Sequence, residues 1–406
     1  MSEKRILIPA AVFLFILPFT HTITLRLTAL LITFGVTLWT WRRHHHPVLP
    51  LKLPLSLWAG LAILSLLWSV DIWATFKEFR HEIIFSLIAF FSFYALTRSE
   101  KELRFFLVTL MLSAAIMAVS GIVSVIHYGT WHAEGYQGGV GTFSTYVVTL
   151  LPFVGLYFII ANSWAWRLVA ILLFGTLLYS AYLTLNRAVW PALVVELITF
   201  YALVVAKSGI LSRAYRNGFA IAVVVTAIIS VLFFIDVTDQ KHGGQRIESI
   251  HDALIALEDD NRIPLWRDTM KIIEQRPILG HGFGQNTLKR KSDEVPNLSR
   301  LRHAHNIVLN YGLQLGVAGV IVLAILFGAL LGSFFKMYRS SDRLAALLGL
   351  CAFTMTVGIL CKNFTDDFFR RDLALLYWSI AGMSLGYCRW LMFIKSPTGE
   401  LPVPGR

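Results

Sequence analysis

The feature that most narrows what this chain can fold into is the clumping of its apolar residues into runs of about twenty, the length an α-helix needs to cross roughly 30 Å of hydrocarbon. The whole sequence agrees: of 406 residues, 56% are hydrophobic and only 15% charged, with a mean hydropathy of +0.65. That balance excludes the common classes of soluble globular chain. The alternation of an outer-membrane barrel is absent, while 12 Trp, 13 Tyr and 29 Phe suit interfacial belts and lipid-facing surfaces. The fold class expected is an all-α polytopic membrane protein. Breaks at charged, Gly and Pro residues divide the runs into about twelve spans, near 6–19, 23–41, 53–70, 82–97, 105–126, 143–161, 168–185, 190–206, 219–235, 308–335, 344–360 and 373–392. The first run is followed at once by another rather than by a small-residue cleavage site, so it is expected to be a span and not a removed signal.

Orientation follows from the basic residues. With the N-terminus in the cytoplasm, eighteen Lys and Arg fall inside, against seven in the short outside segments: Arg26, Lys77, Arg80, Arg187, Lys362, Arg370 and Arg371. Both termini are therefore expected inside. One connection is far longer than an ordinary link between packed helices. It divides the chain into helices 1–9 over 1–235, an outward-facing loop domain over 236–303, and helices 10–12 with a short cytoplasmic tail over 304–406. The loop holds eleven basic and eleven acidic residues, so the net charge of +12 does not signal a nucleic-acid partner. Within it, Ile250, Leu254 and Leu257, then Leu265, Met270 and Ile273, recur at helical spacing and predict amphipathic helices lying over the membrane face. The Gly-His-Gly-Phe-Gly stretch at 280–284 has no strand before it, so it reads as a turn after Arg276-Pro277 rather than a phosphate-cradling loop.

Charged groups at a membrane face are costly and so informative. Arg187 sits between the run ending at Leu185 and Trp190-Pro191, at the outer end of a span. Its guanidinium can hold phosphate oxygens in a bidentate fork; anchoring to headgroups is the plain alternative. His303 and His305 lie where the long loop returns to the membrane, after Arg302 and before Asn306. Imidazole exchanges its proton near neutral pH and can activate a hydroxyl. Two histidines at i and i+2 would point to different sides of a helix, and zinc would want i, i+4 spacing with further ligands, so no metal site is expected. Cys351, Cys361 and Cys388 cannot form a disulfide framework, the first two lying roughly 15 Å apart along one helix. His44-His45-His46 reads as a solvated juxtamembrane run, and Asp366-Asp367 with Arg370-Arg371 as a short outer loop with internal ion pairs. Lys77, Glu78, Arg80 and Glu82 read as a charged external hairpin, with Arg80 a further phosphate contact. Glu196, about 9 Å into its span, is expected to pair with an arginine or to hydrogen-bond inside the bundle.

His305-Asn306, nine residues and then Gly316-Val317-Ala318-Gly319 resembles the signature of the O-antigen ligase and polymerase superfamily. Asn186-Arg187-Ala188 is similar to its Ser-Arg-Gly at an external helix end, with Asn and Ala where the family has Ser and Gly. Arg262 through Trp266 and on to Arg276-Pro277 and Gly280-His281-Gly282 is similar to its Arg-x-x-x-Trp…Pro-x-x-Gly-x-Gly stretch. The resemblance implies an inverting, metal-independent glycosyltransferase of the multi-span C type, without cofactor, on the periplasmic face of a bacterial inner membrane. It implies a glycan donor on undecaprenyl diphosphate and a sugar hydroxyl of lipid A-core as acceptor. Carried over by position, His305 is the base and Arg187 and Arg262 hold the donor diphosphate, with Arg80, His303, Asn306 and Trp266 as secondary candidates.

Three other functions fit the same chain less well. An O-antigen polymerase would use the same donor with a lipid-linked acceptor. A protein O-oligosaccharyltransferase of the superfamily usually carries a larger C-terminal domain than the few residues expected after the last span. A transporter or flippase would favour repeated halves and ionisable residues near mid-membrane, of which Glu196 is the one strong example.

Overall fold

Hydrocarbon offers no partner to a backbone N–H or C=O, so each apolar run satisfies its own backbone by closing into a helix. The computed structural model describes residues 3–43, 49–207, 209–242, 250, 262–284, 287, 303–365, 369 and 371–395, and among these no strand occurs. His44 to His46, Leu254, Leu257, Arg302, Asp366, Asp367 and Arg370, all singled out above, lie outside the described residues.

In chain order the helices are α1 Glu3–Ile16, α2 Ile23–Arg43, α3 Lys52–Leu64, α4 Ile72–Glu78, α5 Phe85–Leu96, α6 Glu100–Tyr128, α7 Val140–Ile160, α8 Trp164–Leu183, α9 Val189–Ala206, α10 Arg213–His242, α11 Arg262–Gln275, α12 Ile307–Tyr338, α13 Arg343–Asn363 and α14 Arg371–Lys395. Among the described residues, nine helices are long and apolar enough to cross a membrane; the runs at 6–16 and 52–67 form shorter apolar helices. The chain is an all-helical, multi-pass membrane protein.

One reading needs correction. Lys77, Glu78, Arg80 and Glu82 do not form an external hairpin, because the span begins ten residues earlier than 82, at Ile72. The Asp71 side chain accepts the Ala74 N–H and caps α4. A π-helical stretch, Phe79–Ile84, then joins α4 to α5. Glu78 and Glu82 are thereby buried, and Arg80 is left exposed.

Small residues set the closest packing, as expected where lipid removes the hydrophobic drive between helices. Gly382 and Gly386 of α14 lie directly on the Phe90 and Tyr94 backbone of α5, where any Cβ would collide. Gly358 of α13 receives the Glu196 side chain of α9 in the same way. The membrane-embedded Glu196 is 3% exposed and, among the described residues, neither of its carboxyl oxygens has a hydrogen-bond partner. The expected arginine partner is not found there.

α12 is interrupted at Gly316, whose φ of 65° and ψ of −160° break the helix. Such a break frees backbone groups inside the bundle, and each needs a new partner. The loop after α11 supplies them. His281 and Gly282 donate their N–H groups to the carbonyls of Leu313 and Gln314, at 3.0 and 2.9 Å, while Val317 and Ala318 donate to those of Pro277 and Ile278, at 2.8 and 3.4 Å. The backbones approach so closely that a Cβ on Gly280 or Gly316 would strike the opposite chain, and both glycines have positive φ. The 280–284 stretch is thus a buried patch on a broken helix, more than the plain turn expected. Gly316 serves that break rather than a helix–helix contact.

Candidate functional site

Two contacts fix which end of the bundle each candidate occupies. Lys207, at the C-terminus of α9, donates its Nζ to the carbonyls of Tyr338 and Ser340, both at 2.6 Å, so α9 and α12 finish at one end. α13 starts from that end and runs back antiparallel to α9, with Gly358 level with Glu196. Its cap residue, Phe364, accepts the Asn306 Nδ2–H at 2.8 Å. Arg187, before α9, and the 303–306 segment, before α12, therefore share the opposite end.

The 303–306 segment is a tightly held turn. Asn306 is the N-cap of α12, its Oδ1 accepting the N–H groups of Val308 and Leu309 at 2.9 and 3.1 Å. Ala304 is fully buried. Its N–H goes to Asn310 Oδ1 at 2.9 Å, and its carbonyl accepts Trp266 Nε1–H from α11 at 2.8 Å. His305 donates its own N–H to His303 Nδ1 at 3.3 Å. The two imidazoles face each other with centroids 4.1 Å apart. That corrects the expectation that they point apart: His305 precedes the helix and has φ 50°, a left-handed conformation that turns its ring back over His303. For a residue other than glycine this conformation costs about 1–3 kcal/mol and persists only where the surroundings enforce it.

Arg187 occupies a corner of similar build. Leu185 takes φ 50°. Asn186 ties the corner to α7 by donating Nδ2–H to Ser144 Oγ at 2.9 Å, and its Oδ1 accepts the Ala188 N–H at 3.1 Å. Arg187 follows, half-buried. Arg262 and Trp266 are one turn apart on α11 and so share a face; the Trp266 bond to Ala304 sets that face against the His305 turn. The buried side of α11 is Leu265, Thr269 and Ile272; Met270, expected there with Ile273, is exposed. Leu265 and Ile272 pack on Leu313 of α12. Arg80 is the outlier, an exposed side chain whose Nη2 lies 3.2 Å from His81 Nε2. Another cation at this end, Arg26, is buried in an ion pair with Asp372 at 3.2 Å.

Chemically, the arrangement offers an imidazole in an enforced conformation, guanidinium groups on two segments at the same end of the bundle, and no group of three His, Cys, Asp or Glu side chains suited to a metal among the described residues. Sequence reasoning missed Asn310 and Gln314. Both are buried, and Gln314 Oε1 accepts the Gly284 N–H at 3.1 Å. Their signal was present: two amide side chains four residues apart inside an otherwise apolar run.

A family model described as O-antigen ligase matches residues 172–324. Arg187, Arg262 and His305 all fall within that segment, and the match supports the O-antigen ligase and polymerase superfamily. No curated protein matches the chain.

Proposed function

We propose that this chain, a multi-pass member of the O-antigen ligase and polymerase superfamily, moves O-antigen glycan from undecaprenyl diphosphate to a sugar hydroxyl of lipid A-core at the periplasmic face of the inner membrane. The family supports a glycosyltransferase-like enzyme of ligase or polymerase type acting on a lipid-linked glycan. The observation that carries the finer reading is that the His305 turn and the Arg187 corner occupy the same end of the bundle, with the Arg262 face of α11 set against that turn.

In this reading the acceptor hydroxyl attacks the anomeric carbon from the side opposite the diphosphate, and the configuration inverts. His305 takes the hydroxyl proton as the new bond forms. The bond from the anomeric carbon to the diphosphate oxygen breaks, and that oxygen leaves with the electron pair. Arg187 and Arg262 stabilise the growing negative charge, a role that preorganised cations fill without moving during the reaction. The carrier diphosphate is already a good leaving group, so the step calls for no nucleotide and no cofactor. His303 and Trp266 shape the turn that holds His305, Asn306 starts α12 beneath it, and Arg80, exposed on the same side, meets the donor's outer charge.

The polymerase is the second reading, since the family match covers both types. Disruption of the gene followed by gel analysis of lipopolysaccharide separates them. A ligase loss leaves core without polymer while lipid-linked polymer accumulates; core bearing a single repeat would assign the polymerase instead.

A further inference from the structure

We propose that Asn310 is a positioning residue for His305, holding the turn from within α12 without touching substrate. The inference rests on the reading of His305 as the base. Asn310 is one of the nine unspecified residues of the His-Asn-x9-Gly-x-x-Gly spacing and is only 2% exposed.

The geometry explains how a buried side chain in the first turn of α12 governs the residue just before that helix. Two peptide planes precede His305. In the plane between His303 and Ala304, the N–H is bound by Asn310 Oδ1 at 2.9 Å. In the plane between Ala304 and His305, the carbonyl is bound by Trp266 Nε1 at 2.8 Å and the N–H by His303 Nδ1 at 3.3 Å. These two planes flank Ala304 and fix its conformation, so the plane entering His305 is held by Trp266 and Asn310, while Asn306, the N-cap of α12, holds the far side; the left-handed φ of 50° at His305 spans the two. Asn310 is the partner built into the helix that the turn precedes: its own N–H donates to the Asn306 carbonyl at 2.9 Å, and Asn306 Oδ1 caps the same helix. The loop is therefore referenced to α12 itself, while Trp266 references it to α11. Removing the Asn310 acceptor leaves the Ala304 N–H buried and unsatisfied. The turn relieves that by rotating, and His305 moves with it.

An acceptor oxygen, not polarity in general, is what the position requires. Asn310→Leu keeps the size and removes the acceptor, and Asn310→Asp restores an acceptor at the same reach. A misplacement of about 1 Å costs on the order of 10²-fold in rate, so Asn310→Leu is expected to lower kcat by about that factor, with the KM for the lipid-linked donor within about twofold. Asn310→Asp is expected to recover most of the loss. A residue with a merely structural role would lower the yield of folded protein, leave kcat per folded molecule unchanged and show no Asp rescue.

The test is transfer by the full chain in lipid nanodiscs, using lipid-linked glycan and lipid A-core, for wild type, Asn310→Leu, Asn310→Asp and His305→Ala side by side. Should the Leu variant not reach the membrane folded, Asn310→Ala is read by the same kcat and KM split. Wild-type kcat in the Leu or Ala variant, or equal losses in Leu and Asp, overturns the positioning role while a dead His305→Ala leaves the base standing. Full transfer by His305→Ala overturns the base itself, and with it the premise.

Discussion

The two ends of the bundle are closed by different means. At the end where α9 and α12 finish, helices start on ordinary local caps: Ser99 accepts from Glu102, Ser163 from Trp166 and Asp342 from Ala345. Lys207 clasps two carbonyls across that end. The other end holds four of the five non-glycine residues with positive φ among the described residues, His21, Leu185, His305 and Arg371, against Leu51 alone at the first. Its turns are held by side chains from distant segments, as Trp266 holds Ala304 and Ser144 holds Asn186. One end is built for economy of structure. The other spends stability on conformations that local sequence does not favour, a pattern that accompanies functional sites.

The sharpest way to break this contrast is to remove chemistry at the strained end while leaving structure intact. His305→Ala should lower transfer by about 10²–10⁴-fold, the usual contribution of a general base, with thermal stability close to wild type, because alanine keeps the Cβ and with it the same left-handed cost. Transfer rates paired with thermal unfolding in the same nanodisc preparation check both halves.

Next come the arginines. A point charge cannot reproduce a bidentate fork, so Arg187→Lys and Arg262→Lys should each lower transfer by roughly 10²-fold, with folding retained. Near-normal transfer by both well-expressed variants would reassign them to anchoring. Gly316→Ala sharpens the comparison differently, because its Cβ would meet the Ile278 backbone and its φ of 65° would disfavour alanine. A loss of about 1–3 kcal/mol is expected, read as a lowered unfolding midpoint, with transfer falling in step. The smallest effect belongs to the other end. Ser163→Ala removes the cap of α8 and should cost about 1 kcal/mol or less, with transfer unchanged per folded molecule.

How much of this was legible in the sequence follows the same division. The helices, their apolar runs and the His305 spacing could be read directly, since hydrocarbon forces local backbone pairing and a helix records that in its own residues. The partners of the strained turns could not. Nothing near Ala304 in sequence announces that Trp266 donates to its carbonyl or that α12 breaks at Gly316 to receive the 277–282 loop. Glu78 and Glu82 misled for the same reason: four charges in six residues suggest an exposed hairpin, whereas an early cap at Asp71 and a π-helical stretch carry both carboxylates inside. The Asn310 and Gln314 pair is visible in the sequence, but a polar residue in an apolar run is informative only once its depth and partner are known.

The most direct test of the central claim is a product analysis with purified protein in nanodiscs, excess EDTA, an undecaprenyl-diphosphate-linked glycan and lipid A-core. Attack at the anomeric carbon, with the arginines holding the leaving group, predicts glycosylated lipid A-core and free undecaprenyl diphosphate in equal amounts, formed without added metal. Transfer that stops in EDTA and returns with a divalent ion, or a carrier released as the monophosphate, would contradict it.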